Sequence, residues 1–87
     1  MTENTANQIR YAIANLAQRI PEWEIKVGET HVPGLSTHFT LTTKEMREDG
    51  ACYAHELHAF MAIADAAGAF LSCELTDEGD SIQIRIC

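Results

Sequence analysis

Four short stretches of this chain alternate apolar and polar residues with the period of two that a half-buried β-strand requires. They come in two pairs, each preceded by a segment of helical period. In the first pair, Trp23, Ile25 and Val27 alternate with Glu22, Glu24 and Lys26, and Phe39 and Leu41 with His38, Thr40 and Thr42. In the second, Leu71, Cys73 and Leu75 alternate with Ser72, Glu74 and Thr76, and Ile82, Ile84 and Ile86 with Gln83 and Arg85. GETHVPG, with Gly28, Pro33 and Gly34, reads as the loop within the first pair, and DEGD, turning at Gly79, as the loop within the second.

The helical segments are equally marked. After Thr5-x-x-Gln8, which has the form of a capping box, Ile9, Ile13, Leu16 and Ile20 form one apolar stripe flanked by Ala12 and Ala17, and Pro21 ends the helix. Thr42-x-x-Glu45 opens a second helix, expected to run from about Thr43 to Ala67 and to close at Gly68. On a continuous helical wheel Met46, Tyr53, Leu57, Phe60, Met61, Ala64 and Ala67 share the core-facing arc. Ala59, Ala62 and Ala66 form a strip of small side chains elsewhere on it, suited to close contact with the first helix or, as the sharper alternative, with a second copy or a binding target.

Each strand therefore has one apolar face and each helix one apolar stripe. The arrangement that buries them all is a two-layer α+β fold of order αββαββ, a four-stranded antiparallel sheet with both helices on one face. With 87 residues the chain is expected to form one domain, residues 1–87. The other face of the sheet, expected to carry Glu22, Glu24, Lys26, His38, Thr40, Glu74 and Arg85, is left to water or a partner.

Within ACYAHELHAF, residues 51–60, Cys52, His55, Glu56 and His58 crowd into seven positions. The wheel turns His55 and His58 away from the sheet and leaves Cys52 at the edge of the core arc, so one helix cannot gather them into a buried constellation. Structural zinc sites carry paired cysteines, absent here, and the expectation is no metal or other cofactor; Cys52, His55 and His58 stand as the candidate ligands of the alternative. No phosphate loop, nucleophile elbow, H-E-x-x-H or kinase-like motif is present, and HELH has the wrong spacing to put two histidines on one zinc, so the chain is read as no enzyme. With three cysteines and no framework, disulfides are not expected, and Cys73 is read as a small buried apolar residue.

Charge supplies the functional reading. The net charge is −7, and it is uneven: residues 1–40 hold four acids against three bases, −1, whereas residues 41–87 hold nine against three, −6. Six scattered bases equip the chain poorly for phosphates, so neither nucleic acid nor an anionic membrane is expected as a direct partner, and no apolar run approaches the ~20 residues of a membrane span. The amino terminus lacks the basic start and apolar middle of a secretion signal, and a cytoplasmic location is expected.

The acids concentrate in Glu45, Glu48 and Asp49 at the start of the second helix and in Glu74, Asp77, Glu78 and Asp80 around the last hairpin. Part of this is local chemistry, since acids complement a helix start and Asp suits turns. The remainder points to a small acidic protein-binding module, monomer or homodimer, that occupies the basic nucleic-acid-binding surface of a partner protein as phage-type inhibitors, anti-CRISPR proteins among them, do. The alternatives are a small metal-binding protein using Cys52, His55 and His58, or a bacterial accessory or regulatory domain whose charge serves solubility.

Overall fold

The first helix, α1, runs from Glu3 to Arg19, with Thr2 rather than Thr5 as its cap: the Thr2 side chain accepts a hydrogen bond from the Thr5 amide. In this computed structural model, which describes every residue except 32, 34–36, 77 and 80, α1 is followed by a 3₁₀ turn at Pro21–Trp23 and strands β1 (Lys26–His31) and β2 (Thr37–Thr42). Then come helices α2 (Lys44–Asp49) and α3 (Ala54–Ala66) and strands β3 (Leu71–Leu75) and β4 (Ile82–Ile86). All strand pairings are antiparallel, in the order β1-β2-β4-β3.

The two αββ units meet at the β2–β4 pair, where Phe39 faces Ile86, Thr40 faces Arg85 and Leu41 faces Ile84. Phe39 and Leu41 from one unit and Ile84 and Ile86 from the other thus lie on one face of the sheet, all fully buried beneath Ile9, Ile13 and Leu16 of α1, Met46 of α2 and Phe60 and Ala64 of α3. This is the expected two-layer α+β architecture. The register places Lys26, Gly28, Thr30, His38, Thr40, Thr42, Ser72, Glu74, Gln83 and Arg85 on the opposite, open face.

Several local expectations need correction. The central helix is two helices, because Gly50 adopts the left-handed conformation (φ 62°) that ends α2, its amide bonding back to the Glu45 carbonyl, and α3 starts afresh after Tyr53. A wheel carried through Gly50 consequently loses its phase. Tyr53 and Met61, assigned to the core, are exposed, whereas Glu56 is 1% exposed. The α2 cap is Thr43, one residue later than expected, its hydroxyl accepting from the Met46 amide at 3.3 Å.

The first strand lies about four residues further along than the alternation indicates. Pro21–Trp23 forms the 3₁₀ turn and Glu24 is left-handed, so neither Glu22 nor Glu24 belongs to the sheet. Gly28, read as a loop residue, pairs with Thr40 instead, and a Cβ there would stand 2.7 Å from the Thr40 hydroxyl, which explains a glycine inside a strand. Glu29, Thr30 and His31 of the expected loop also belong to β1, and of its other residues only Pro33 is described. Cys73 is exposed, not buried, because β3 is an edge strand; Leu75 on the same face is exposed too.

The small-residue strip lies beside α1, with Ala62 and Ala66 exposed. Ala59, Ala62, Ile63 and Ala66 face Ala12, Asn15, Leu16 and Arg19 across a shallow groove between α3 and α1, and Gln8 donates from Nε2 to the Ala66 carbonyl at 3.1 Å. Gly68 closes α3 and Gly79 lies in the β3–β4 turn, both as expected. No helix among the described residues is long and apolar enough to cross a membrane.

Candidate acidic and aromatic pocket

Because α2 and α3 are separate, the link between them brings three chain segments together. The 3₁₀ turn supplies Glu22 and Trp23, α2 supplies Glu45, and the start of α3 supplies Tyr53, His55 and Glu56; these six line an open pocket of about 380 Å³. Trp23 is anchored from below by Phe60, whose ring meets it edge-on at 6.3 Å between centroids. Its other neighbour is His55, at 5.6 Å and tilted by 53°, and His55 is stacked in turn on Tyr53, at 5.8 Å and 13°. The wall is therefore a row of three rings, Trp23, His55, Tyr53.

Carboxylates form the rest of the lining. Glu56 is buried, and among the described residues its side chain receives one hydrogen bond, from the Thr43 hydroxyl to Oε1 at 3.2 Å. Thr43 thereby joins two roles, capping α2 and steadying the acid of α3. Glu45 shares a hydrogen bond with Asp49, and its carboxyl is raised above the ordinary carboxylate range by that bond, by desolvation and by the negative charges of Asp49, Glu56 and Glu48.

The nearby cations do not relieve this charge. Lys44 pairs with Glu24 at 3.7 Å, and Arg47 donates to the Glu24 carbonyl at 2.7 Å and to the carbonyl and hydroxyl of Thr42. None of Glu22, Glu45, Glu48, Asp49 and Glu56 forms an ion pair with a described residue, whereas Glu3, Glu24, Glu29 and Glu74 all do. Five of the seven described acids without an ion pair therefore lie on the 3₁₀ turn, α2 and the start of α3; the other two are Asp65 and Glu78.

The seven acids singled out from the sequence do not make one surface. Glu45, Glu48 and Asp49 sit together on α2. Glu74 lies on the opposite face of the sheet, where it accepts from Gln83 at 3.2 Å and pairs with Arg85 at 3.8 Å, and Glu78 is exposed in the hairpin turn. Asp77 and Asp80 lie outside the described residues. Glu22, Trp23, Tyr53 and Glu56 complete the pocket and were not indicated by charge clustering, since the fold brings them together across more than thirty positions of sequence.

The candidate metal ligands diverge. His55 is held in the ring row, His58 is exposed, and Cys52 packs towards the core, its thiol pushed up chiefly by desolvation and further by Cys73. Among the described residues no three His, Cys, Asp or Glu side chains converge as metal ligands do. No protein-family model, curated protein or solved structure matches this chain.

Proposed function

We propose that this chain is a small, acidic, non-catalytic protein-binding module whose working surface is the acidic and aromatic corner formed by the 3₁₀ turn, α2 and the start of α3. Its partner is a protein presenting a basic surface of the kind that holds nucleic-acid phosphates, and the module inhibits by occupying it, in the manner of phage-type inhibitors such as anti-CRISPR proteins. Module and partner meet in the cytoplasm.

One observation carries this reading: Glu22, Glu45 and Glu56, without ion-pair partners among the described residues, line a pocket walled by Trp23 and Tyr53, with unpaired Glu48 and Asp49 on the same helix as Glu45. Glu3, Glu24, Glu29 and Glu74 are paired, and the other unpaired acids described, Asp65 and Glu78, stand apart in the sequence. Concentrating like charge costs stability, and a cationic partner repays that cost while the field speeds its approach. Aromatic residues such as Trp23 and Tyr53 are also what interface centres are enriched in. Glu74, already paired with Arg85, contributes less than Glu45, Glu48 and Asp49.

The test is calorimetric titration with an arginine-rich decapeptide at low and physiological salt. Saturable binding that weakens with salt, and is lost when Glu48 and Asp49 are both changed to lysine, is expected. Binding unaffected by that double reversal, or no binding at low salt, refutes the proposal.

A further inference from the structure

We infer that the outer edge of β1 takes up an extended segment of a partner protein as an added strand, with one apolar side chain of that segment seated between β1 and α1 and a basic one beside Glu29. The inference concerns a second surface and does not depend on the acidic corner. β1 is an outermost strand of the sheet, pairing with β2 alone, and all six of its residues are exposed. In an antiparallel pair the N–H and C=O groups of successive residues turn alternately towards the partner strand and away from it. Among the described residues no main-chain hydrogen bond apart from the β1–β2 ladder involves Lys26–His31. The outward groups of β1 are a row of donors and acceptors on which another strand can pair.

The second observation lies along the helix-facing side of the same edge. Val27 stands opposite Leu41 and Glu29 opposite Phe39, whose side chains are fully buried beneath the helices, so Val27 and Glu29 also point towards the helix layer. Above them α1 presents the small side chains of Ala14 and Ala17, and an open pocket of about 220 Å³ is left, with Phe39 in its lining and Val27 still 53% exposed. A cavity of about 150 Å³ lined by aliphatic and aromatic groups holds a benzene ring, so this pocket admits one aliphatic side chain. Along a strand added beside β1, every second side chain points to this side of the sheet, and the one next to Val27 meets the pocket. Unpaired main-chain groups give such a strand its affinity and the pocket gives it selectivity.

Charge decides the rest of the occupant. Arg10 pairs with both Glu3 and Glu29, so two carboxylates share one guanidinium, and the whole chain carries −7. A lysine or arginine opposite Glu29 is therefore favoured. A second copy of this chain is not. The two longest registers that pair β1 with itself and keep both helix layers on one side set Glu29 either against its own copy or against Val27. The first opposes like charges, and the second puts a carboxylate where the pocket takes an apolar group.

The experiment titrates isotope-labelled protein with the capped heptapeptide Thr-Lys-Thr-Ile-Thr-Lys-Thr, whose palindromic order offers isoleucine to the pocket and lysine to Glu29 in either strand direction. Amide shifts at Val27, Gly28, Glu29, Ala14 and Ala17 that saturate below about 1 mM are expected. Two altered peptides should bind at least about tenfold more weakly: one with aspartate for isoleucine, and one N-methylated at isoleucine and the next threonine, so that a methyl falls on the hydrogen-bonding side. Ala14→Leu, which fills the pocket and keeps a good helix former in α1, should weaken binding by about tenfold at an unchanged urea midpoint. The double reversal of Glu48 and Asp49 to lysine should leave it unaltered.

No saturation by about 1 mM, shifts centred on Trp23 and Glu45, or undiminished binding of either altered peptide overturns the inference. None of these results touches the reading of the acidic corner, which the arginine-rich decapeptide tests separately.

Discussion

Replacing Glu56 by glutamine should make the free protein more stable while weakening its hold on a cation. The side chain is 1% exposed, and its charge is met by a single hydroxyl, that of Thr43 at 3.2 Å. Its negative charge also contributes to the raised carboxyl of Glu45 and the raised thiol of Cys52. Glutamine keeps the shape and the acceptor for Thr43 and removes the charge. Leaving a buried polar group short of partners costs on the order of 1–3 kcal/mol, more when it is charged. The amide's two N–H groups need partners of their own and return part of that cost, so the net gain is set at about 1 kcal/mol. For a domain of this size that is a rise in Tm of about 4–8 °C.

Far-UV circular dichroism during urea and thermal unfolding at pH 7 measures the change, with Glu48→Gln, on an exposed side chain, as a control expected to stay within about 0.5 kcal/mol. A Glu56→Gln protein less stable than its parent by about 1 kcal/mol or more would mean that the carboxylate holds the fold through Thr43. It would then be a structural group rather than an unmet charge, and the reasoning about the pocket would lose its foundation.

Two further outcomes follow from the fold. Gly50→Ala should cost about 1 kcal/mol in urea unfolding: a Cβ there meets nothing within 4 Å, so the cost is the left-handed backbone (φ 62°) alone. An unchanged midpoint would mean that α2 and α3 are not held apart by that residue. The second concerns the bidentate pair in which Arg10 Nε donates to both oxygens of Glu29 at 3.0 Å. Arg10 holds the Glu29 carboxyl below its ordinary range, so the pair's stabilisation is present above the unfolded carboxylate pKa and lost as pH falls through the lower folded value. The urea midpoint of Arg10→Met should therefore lie below that of the parent at neutral pH and meet it at the acid end; parallel curves throughout would contradict the assignment. Both side chains are about a third exposed, so the difference is small.

What the sequence makes legible is what depends on local period. The stripe of α1, the paired alternations of β2, β3 and β4 and the turn at Gly79 can all be read from neighbours a few residues apart, and the two-layer fold follows from the need to cover four half-apolar strands. The misplacements arise where tertiary contacts override local pattern. Trp23 alternates like a strand residue, but Phe60 and His55 draw its ring into the helix layer and the strand begins after it. Gly50 looks like a tolerable interior glycine until its φ shows a helix end, and losing the phase there puts Tyr53, expected in the core, at the pocket and leaves the burial of Glu56 unforeseen.

For the same reason the site is only half visible in the chain. The α2 acids stand out as a cluster, and their placement beside one another follows from helical spacing. The pocket needs the 3₁₀ turn, α2 and α3 at once, and no periodicity links Glu22 and Trp23 to residues 53–56. A signal was nonetheless available: Thr43 and Glu56 are polar residues at positions where the flanking pattern is apolar, and polar groups enclosed by a core must be partnered.

The most direct test of the account is where a basic ligand lands. Backbone amide and tryptophan indole shifts of isotope-labelled protein, recorded while the arginine-rich decapeptide is titrated in, should move most at Trp23, Glu45, Tyr53, His55 and Glu56, with smaller changes at Glu48 and Asp49 and none on the open sheet face around Thr40 and Arg85. Shifts centred on that open face, or on the groove between α1 and α3, would contradict the assignment of the working surface.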